Sequence, residues 1–283
     1  MKTENEGFDL TITVNNFNLS YNDVGEGSVP VIFIHGFPFD KSMWHGQMDF
    51  LKSAYRVISF DIRGFGNSID TDSSLSIDLF AEDLIAFMDE LNIEKAVVCG
   101  LSMGGYIALN AYQRFSERFE ALILADTQCI ADTPEVKEKR YEAINEIEVN
   151  GTANFNEGFI KKVFYEDSFR NKKEQVEELK KVVFSNPEHV VQRGLKAIAE
   201  RSESCSVLTE INIPTLIICG KEDSVTPLAQ SEAMKESISG ATLKVIENAG
   251  HVSNLEQKDK FNQHILDFLK AIDVVGDGAF KVD

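Results

Sequence analysis

The residue types that could do chemistry converge on Ser102, because of what stands around it. It falls in Gly100-Leu101-Ser102-Met103-Gly104, a Gly-x-Ser-x-Gly pattern. The run before it, Val97-Val98-Cys99, is short, apolar and rich in β-branched residues, which predicts a buried strand. After it Ile107, Ala108, Leu109 and Ala111 recur at helical spacing. A serine at the apex of such a strand-to-helix turn, a nucleophile elbow, has its hydroxyl pushed clear of the sheet at the positive end of a helix. The backbone there is strained, and a Cβ at Gly100 or Gly104 would collide with the neighbouring strand or helix. Taken alone, the pattern also describes a Gly-rich turn with an ordinary serine.

A serine hydroxyl is a poor nucleophile without a base in hydrogen-bond reach, and that base needs an acceptor to fix its tautomer. In an open parallel sheet, reactive groups gather beyond the carboxyl ends of the strands. The residues at such positions are His35, Asp61, Ser102, Asp126, Asp223 and His251. Of the five histidines, His45, His189 and His264 lie in predicted helices, where a surface or packing role is expected, and His35 is read as shaping a loop. His251, in the Gly-bounded loop after the last predicted strand, is the expected base. Asp223 is the expected acid. Asp126, which also ends a strand, is the alternative, with capping of the following segment as its plain role. Two backbone donors should face the developing oxyanion: the N–H of Met103 and, since Pro38 has none to give, the N–H of Phe37.

The elements that must position these residues are legible as a rhythm. An alternating stretch, Phe8 to Tyr21 around Asn15-Asn16, predicts an antiparallel hairpin. Continuous apolar strands follow at 29–34 and 56–60, with a helix at 41–54 between them and another at 77–91. The elbow strand and helix come next, then a strand at 121–125. Asp61-Ile62-Arg63-Gly64-Phe65-Gly66-Asn67-Ser68 reads as a tight turn pinned by Asp61 and Arg63; no phosphate-gripping Gly-Lys-Ser/Thr follows it. From Thr127 to about Leu208, strand-like runs give way to helical periodicity rich in Lys and Glu; Phe155, Phe159, Val163, Phe164, Val183, Phe184, Leu195 and Ile198 are expected mainly to pack, with some of them facing the site if this segment covers it. Strands at 214–219 and 242–246 and a helix at 257–272 complete the chain, with a loosely ordered tail from Asp273 to Asp283. The fold class is therefore α/β, a mostly parallel sheet with helices on both faces. Residues 1–127 and 209–283 form the core domain, and 128–208 an inserted helical cap.

Composition narrows the partners. With 28 Lys and Arg against 46 Asp and Glu the chain carries a formal net charge of −18, which repels phosphate backbones and anionic lipid. Nucleic acid and membrane are excluded as partners. The start, Met1 to Glu6, lacks the apolar core of a signal peptide, and no apolar run reaches membrane-spanning length. The four cysteines are scattered and read as reduced, buried thiols rather than a disulfide framework or a zinc site, so a cytoplasmic protein is expected.

Four segments together resemble the α/β-hydrolase superfamily, over roughly residues 8–271: His35-Gly36-Phe37-Pro38-Phe39-Asp40, the Asp61–Ser68 turn, Gly100-Leu101-Ser102-Met103-Gly104-Gly105 and Gly220-Lys221-Glu222-Asp223. Within it they resemble the 3-oxoadipate enol-lactonase group and its esterase relatives. The chain order nucleophile, acid, histidine also matches. The resemblance implies an eight-stranded sheet, a helical cap and hydrolysis without a cofactor or metal. Relatives with haloalkane dehalogenase or epoxide hydrolase activity carry an aspartate nucleophile, and Ser102 argues against both. The leading expectation is a serine hydrolase of small carboxylic esters or lactones, with Ser102, His251 and Asp223 as a triad and Phe37 and Met103 as oxyanion donors. Cleavage of a carbon–carbon bond by the same triad and a slow-turnover ligand sensor are the alternatives. The sequence leaves the natural substrate and the oligomeric state open.

Overall fold

The computed structural model describes residues 7–70 and 74–272; the expectations for Met1–Glu6 and for the tail from Asp273 lie outside them. The hairpin forms as predicted, pairing β1 (Leu10–Val14) with β2 (Phe17–Val24). Its turn residues Asn15 and Asn16 both take positive φ, 44° and 67°, as a primed hairpin turn requires. Then come β3 (Val31–Ile34), β4 (Val57–Phe60), β5 (Ala96–Leu101), β6 (Phe119–Ala125), β7 (Thr215–Gly220) and β8 (Thr242–Ile246). They make one eight-stranded sheet in the order β1-β2-β4-β3-β5-β6-β7-β8, antiparallel at β1 and β2 and parallel from β4 to β8.

The continuous apolar strands are explained by burial on both faces. Along β3, Ile32 and Ile34 join one core cluster, and Val31 and Phe33 the other. The second face is covered by α1 (His45–Leu51), which contributes Met48 and Leu51. On the first lie α2 (Ile77–Glu90) and α3 (Met103–Phe115). The Ser76 hydroxyl caps α2 by accepting from Leu79 N–H at 3.1 Å. The single helix expected at 41–54 is a 3-10 turn, Lys41–Trp44, followed by α1.

Between β6 and β7 the chain is helical: α4 (Pro134–Asn150), α5 (Ala153–Val163), α6 (Ser168–Asn171), α7 (Lys173–Ser185) and α8 (Glu188–Ala199). Only Ile147 of α4 is buried, so its Lys and Glu residues are a solvated surface. Val183, Leu195 and Ile198 pack into the two cores, whereas Phe184 is exposed, with the Lys180 ammonium 5.3 Å from its ring centroid. After β7 come α9 (Leu228–Ser237), α10 (Ser253–Glu256) and α11 (Lys258–Ala271), the last burying Phe261, Ile265 and Leu269 beside α1. No helix among the described residues is long and apolar enough to cross a membrane.

The cysteine reading needs correction. Cys99 and Cys219 are free and buried, but Cys129 and Cys205 form a disulfide. Cys129 lies just past β6 and Cys205 at the start of the 3-10 turn leading to β7, so the bond joins the two ends of the helical insertion. Ser204 N–H donates to Cys129 O beside it at 2.7 Å. Spacing could not reveal the pair, since the two are 76 residues apart and meet only because the insertion leaves and re-enters the sheet at one place. Closing a loop of this length restricts the unfolded chain, an effect worth about 4 kcal/mol in the chain-entropy account. Replacing both cysteines by serine should therefore lower stability by about 2–4 kcal/mol, read as a drop in melting temperature. An unchanged melting temperature would overturn the assignment.

Candidate active site

The elbow is built by steric exclusion. Ser102 sits between β5 and α3 with φ 54° and ψ −115°, a strained backbone for a residue with a side chain. The turn is possible because nothing projects from its neighbours: a Cβ on Gly100 would lie 2.2 Å from Gly104 O, and one on Gly104 2.3 Å from Ile34 O. Ser102 N–H donates to Ala125 O at 3.0 Å, and Thr127 Oγ1–H to Ser102 O at 2.7 Å, so both backbone groups are held by residues at the end of β6.

The loops beyond β7 and β8 bring the other two residues to it. Ser102 Oγ lies 2.8 Å from His251 Nε2, and His251 Nδ1 lies 2.8 Å from Asp223 Oδ2. Asp223 also accepts from Val225 N–H at 2.8 Å, Thr226 N–H at 3.0 Å and Thr226 Oγ1–H at 2.8 Å. Burial by itself would raise this carboxyl, but His251 and these donors outweigh it and hold it below the ordinary carboxylate range. For His251, burial disfavours the imidazolium, and the Asp223 carboxylate more than offsets that, leaving the ring above its ordinary 6.5. With Nδ1–H directed at Asp223, the Nε2 lone pair faces the serine hydroxyl.

Asp126 is brought close but turned elsewhere. Its Oδ1 accepts from Gly220 N–H at 2.8 Å, and its Oδ2 from Ser253 Oγ–H at 2.6 Å and Ser253 N–H at 3.2 Å. It thus ties the end of β7 to the start of α10 instead of capping its own following segment. Burial and the facing Asp223 carboxylate push its carboxyl up to about 8. Atoms of Asp126, Cys219 and Asp223 lie within 4.8 Å of one another, a set that could in principle hold a cation. Each donor is already engaged: the two carboxylates as described, and the Cys219 thiol with Gly220 O at 3.2 Å.

His35 acts as a loop brace. Its Nε2 accepts from Ile62 N–H at 2.9 Å, so its Nδ1–H is the donor to Gly36 O at 2.9 Å, and burial holds its pKa below the usual value. In the Asp61 turn, the carboxylate accepts from Lys41 N–H at 2.7 Å, Lys41 Nζ at 3.0 Å and Asn67 N–H at 2.8 Å, and so pins the turn. Arg63 pairs instead with Asp83 on α2 at 2.6 Å and with Asp70 at 2.9 Å. Of the other histidines, His45 and His189 are exposed and His264 is half-buried.

The N–H groups of Phe37 and Met103 donate to no other protein group among the described residues. Met103 opens α3, so its N–H has no partner within the helix. The Phe37 ring packs edge-on against Phe65, Phe155 and Phe159, at centroid distances of 5.9, 6.4 and 6.2 Å. Phe155 and Phe159, one turn apart on α5, stack at 6.1 Å and are only half-buried. They bring aromatic surface of the helical insertion onto the Phe37 ring. Sequence reading missed Thr226, Ser253 and Glu256, the polar residues that fix the loops carrying Asp223 and His251. No residue pattern marks them, because their importance lies in which distant backbone they reach.

A family model of the α/β hydrolase fold matches residues 29–258. The chain belongs to this family and is a hydrolase enzyme. It is 32% identical over 275 residues, 96% of this chain and 97% of the relative, to 3-oxoadipate enol-lactonase 1 of Acinetobacter baylyi. Among solved structures it resembles a thermophilic esterase from Thermogutta terrifontis, with a TM-score of 0.88, 33% identity, and coverage of 93% of this chain and 98% of that one. The enol-lactonase from Burkholderia xenovorans superposes with a TM-score of 0.85 at 27% identity, covering 92% of this chain and 100% of that one.

The electrostatics predict how His251 titrates. Removing the Asp223 charge leaves burial unopposed by its largest favourable partner, so Asp223→Asn should move the imidazole midpoint from above 6.5 to below it. A proton NMR titration of the ring reads this directly; an unmoved midpoint would show that Asp223 does not set the charge of His251.

Proposed function

We propose that the chain hydrolyses small carboxylic esters or lactones through an acyl-enzyme on Ser102, with His251 as base and Asp223 as its orienting acid. The observation that carries this reading is the continuous hydrogen-bonded line from Ser102 Oγ through His251 to Asp223, 2.8 Å at each step. Ser102 Oγ attacks the substrate carbonyl while its proton passes to His251 Nε2. Asp223 stabilises the imidazolium so formed. The negative oxygen of the tetrahedral intermediate faces the N–H groups of Phe37 and Met103, at the N-terminus of α3. Collapse expels the alkoxide, which takes the proton from His251; in a lactone this alcohol stays tethered to the acyl chain. Water then loses a proton to His251, attacks the acyl carbonyl and releases the acid, restoring Ser102.

Residues 128–208 serve in this reading as a cap over the core formed by 1–127 and 209–283, with Phe155 and Phe159 as the wall against which the substrate lies. The named activities of the relatives support the substrate class, since an enol-lactonase and an esterase both break a carbonyl–oxygen ester bond. The scheme consumes only substrate and water.

Ser102→Ala should lose on the order of 10⁴-fold or more in kcat with an unchanged melting temperature. In the wild type, kcat/KM for p-nitrophenyl acetate should rise with pH through a midpoint above 6.5, because only the neutral imidazole accepts the serine proton and its pKa is raised. Mass spectrometry after fluorophosphonate treatment should find one adduct, on Ser102. Undiminished turnover by Ser102→Ala would refute the reading.

A further inference from the structure

Glu256, in the short helix α10, is wholly buried, and its carboxylate binds two separate parts of the molecule. Oε1 accepts from Tyr165 N–H at 2.8 Å and from Ser168 Oγ–H at 2.6 Å, both in the stretch between α5 and the first turn of α6. Oε2 accepts from Gly250 N–H at 2.6 Å, the residue immediately before His251. A buried carboxylate is tolerated only where such donors replace its water. Here two of the three donors come from the helical insertion and one from the loop carrying the base.

Two further bonds follow the same path. His251 N–H donates to Val163 O at 2.8 Å, and Ser224 Oγ–H, beside Asp223, donates to Lys162 O at 3.1 Å. The C-terminal end of α5 is thus bonded to both loops of the hydrogen-bonded line. Nearer its start, the same helix sets Phe155 and Phe159 against Phe37. One rigid helix therefore connects the oxyanion loop, the acid loop and the base loop.

We propose that Glu256 is a positioning residue whose two carboxylate oxygens make the alignment of His251 on Ser102 depend on the seating of residues 163–168. This rests on the serine-hydrolase reading above. Lifting the insertion would withdraw the Val163 carbonyl from His251 and the Tyr165 and Ser168 donors from Glu256. The buried carboxyl group would then lose two of its three donors, so the base loop would be drawn out of register with the serine. A catalytic base displaced by a fraction of an ångström loses rate without any change in the groups present.

The test uses Glu256→Gln and Ser168→Ala in the full chain. An amide has one acceptor oxygen, so Gln at 256 can serve Gly250 or the Tyr165–Ser168 pair, but not both. Ser168→Ala removes one bond on the insertion side and leaves every residue of the triad in place. Four quantities are measured on folded protein: the rate of Ser102 labelling by a fluorophosphonate, kcat and KM for p-nitrophenyl butyrate, and the downfield proton resonance of His251 Nδ1–H. Glu256→Gln should slow labelling and kcat together by about 10-fold, and Ser168→Ala by a smaller factor, with KM little changed and the resonance broadened. If both variants melt earlier but label, turn over and resonate like wild type, Glu256 is structural only and the proposal fails. Should Glu256→Gln not fold, Ser168→Ala decides alone. A wild type that is not labelled at Ser102 would instead sink the serine-hydrolase reading, and this proposal with it.

Discussion

The left-handed backbone at Ser102 is the constraint on which the rest of the site depends. A side-chain-bearing residue at φ 54° and ψ −115° costs about 1–3 kcal/mol, and it persists only because its surroundings allow no other path. Gly100 and Gly104 let β5 and α3 approach so closely that no Cβ could stand at either position. Ala125 and Thr127 hold the turn's own N–H and C=O from the neighbouring strand end. The result is a hydroxyl that cannot relax into the sheet and a helix whose first N–H groups face the same space.

Around this turn the molecule uses buried carboxylates as ties between loops. Asp223 gathers the Thr226 turn and His251; Asp126 joins the end of β7 to α10; Glu256 joins the base loop to the helical insertion; Asp61 joins Lys41 to the turn after β4. Each is buried, and each is surrounded by N–H and O–H donors or a cation. Loops have no ladder of their own, so a carboxylate with its several acceptor sites is an economical way to hold two or three of them in one geometry. The arrangement is high-stakes, because losing one donor leaves a buried polar group short of a partner.

Beyond its apolar packing, several specific contacts tie the helical insertion to the rest of the molecule. The disulfide joins its two ends, Asn186 donates to Pro38 O at 2.8 Å in the loop after β3, and residues 162–168 bond the loops carrying Asp223 and His251. Its aromatic residues meet the Phe37 ring, so the insertion touches the loop after β3 and the loops carrying Asp223 and His251 as one connected body. In the proposed hydrolase this couples the selection of substrate to the order of the chemistry's residues.

Much of this was legible in the residues alone. Apolar runs too short for helices, the period of the helices between them and the glycines about Ser102 determine a parallel α/β sheet with a strained serine turn, because each is a local steric or periodic requirement. The hairpin at Asn15-Asn16 and the places of Ser102, Asp223 and His251 behind their strands were readable for the same reason. What the chain could not disclose was how other distant side chains pair: that Cys129 meets Cys205, that Asp126 turns to Ser253 and not to His251, and that Glu256 reaches both the insertion and Gly250. Those are decided by where the insertion leaves and rejoins the sheet and by which buried donors then face each carboxylate. Periodicity reports which side of an element is buried, and only tertiary packing decides what it is buried against.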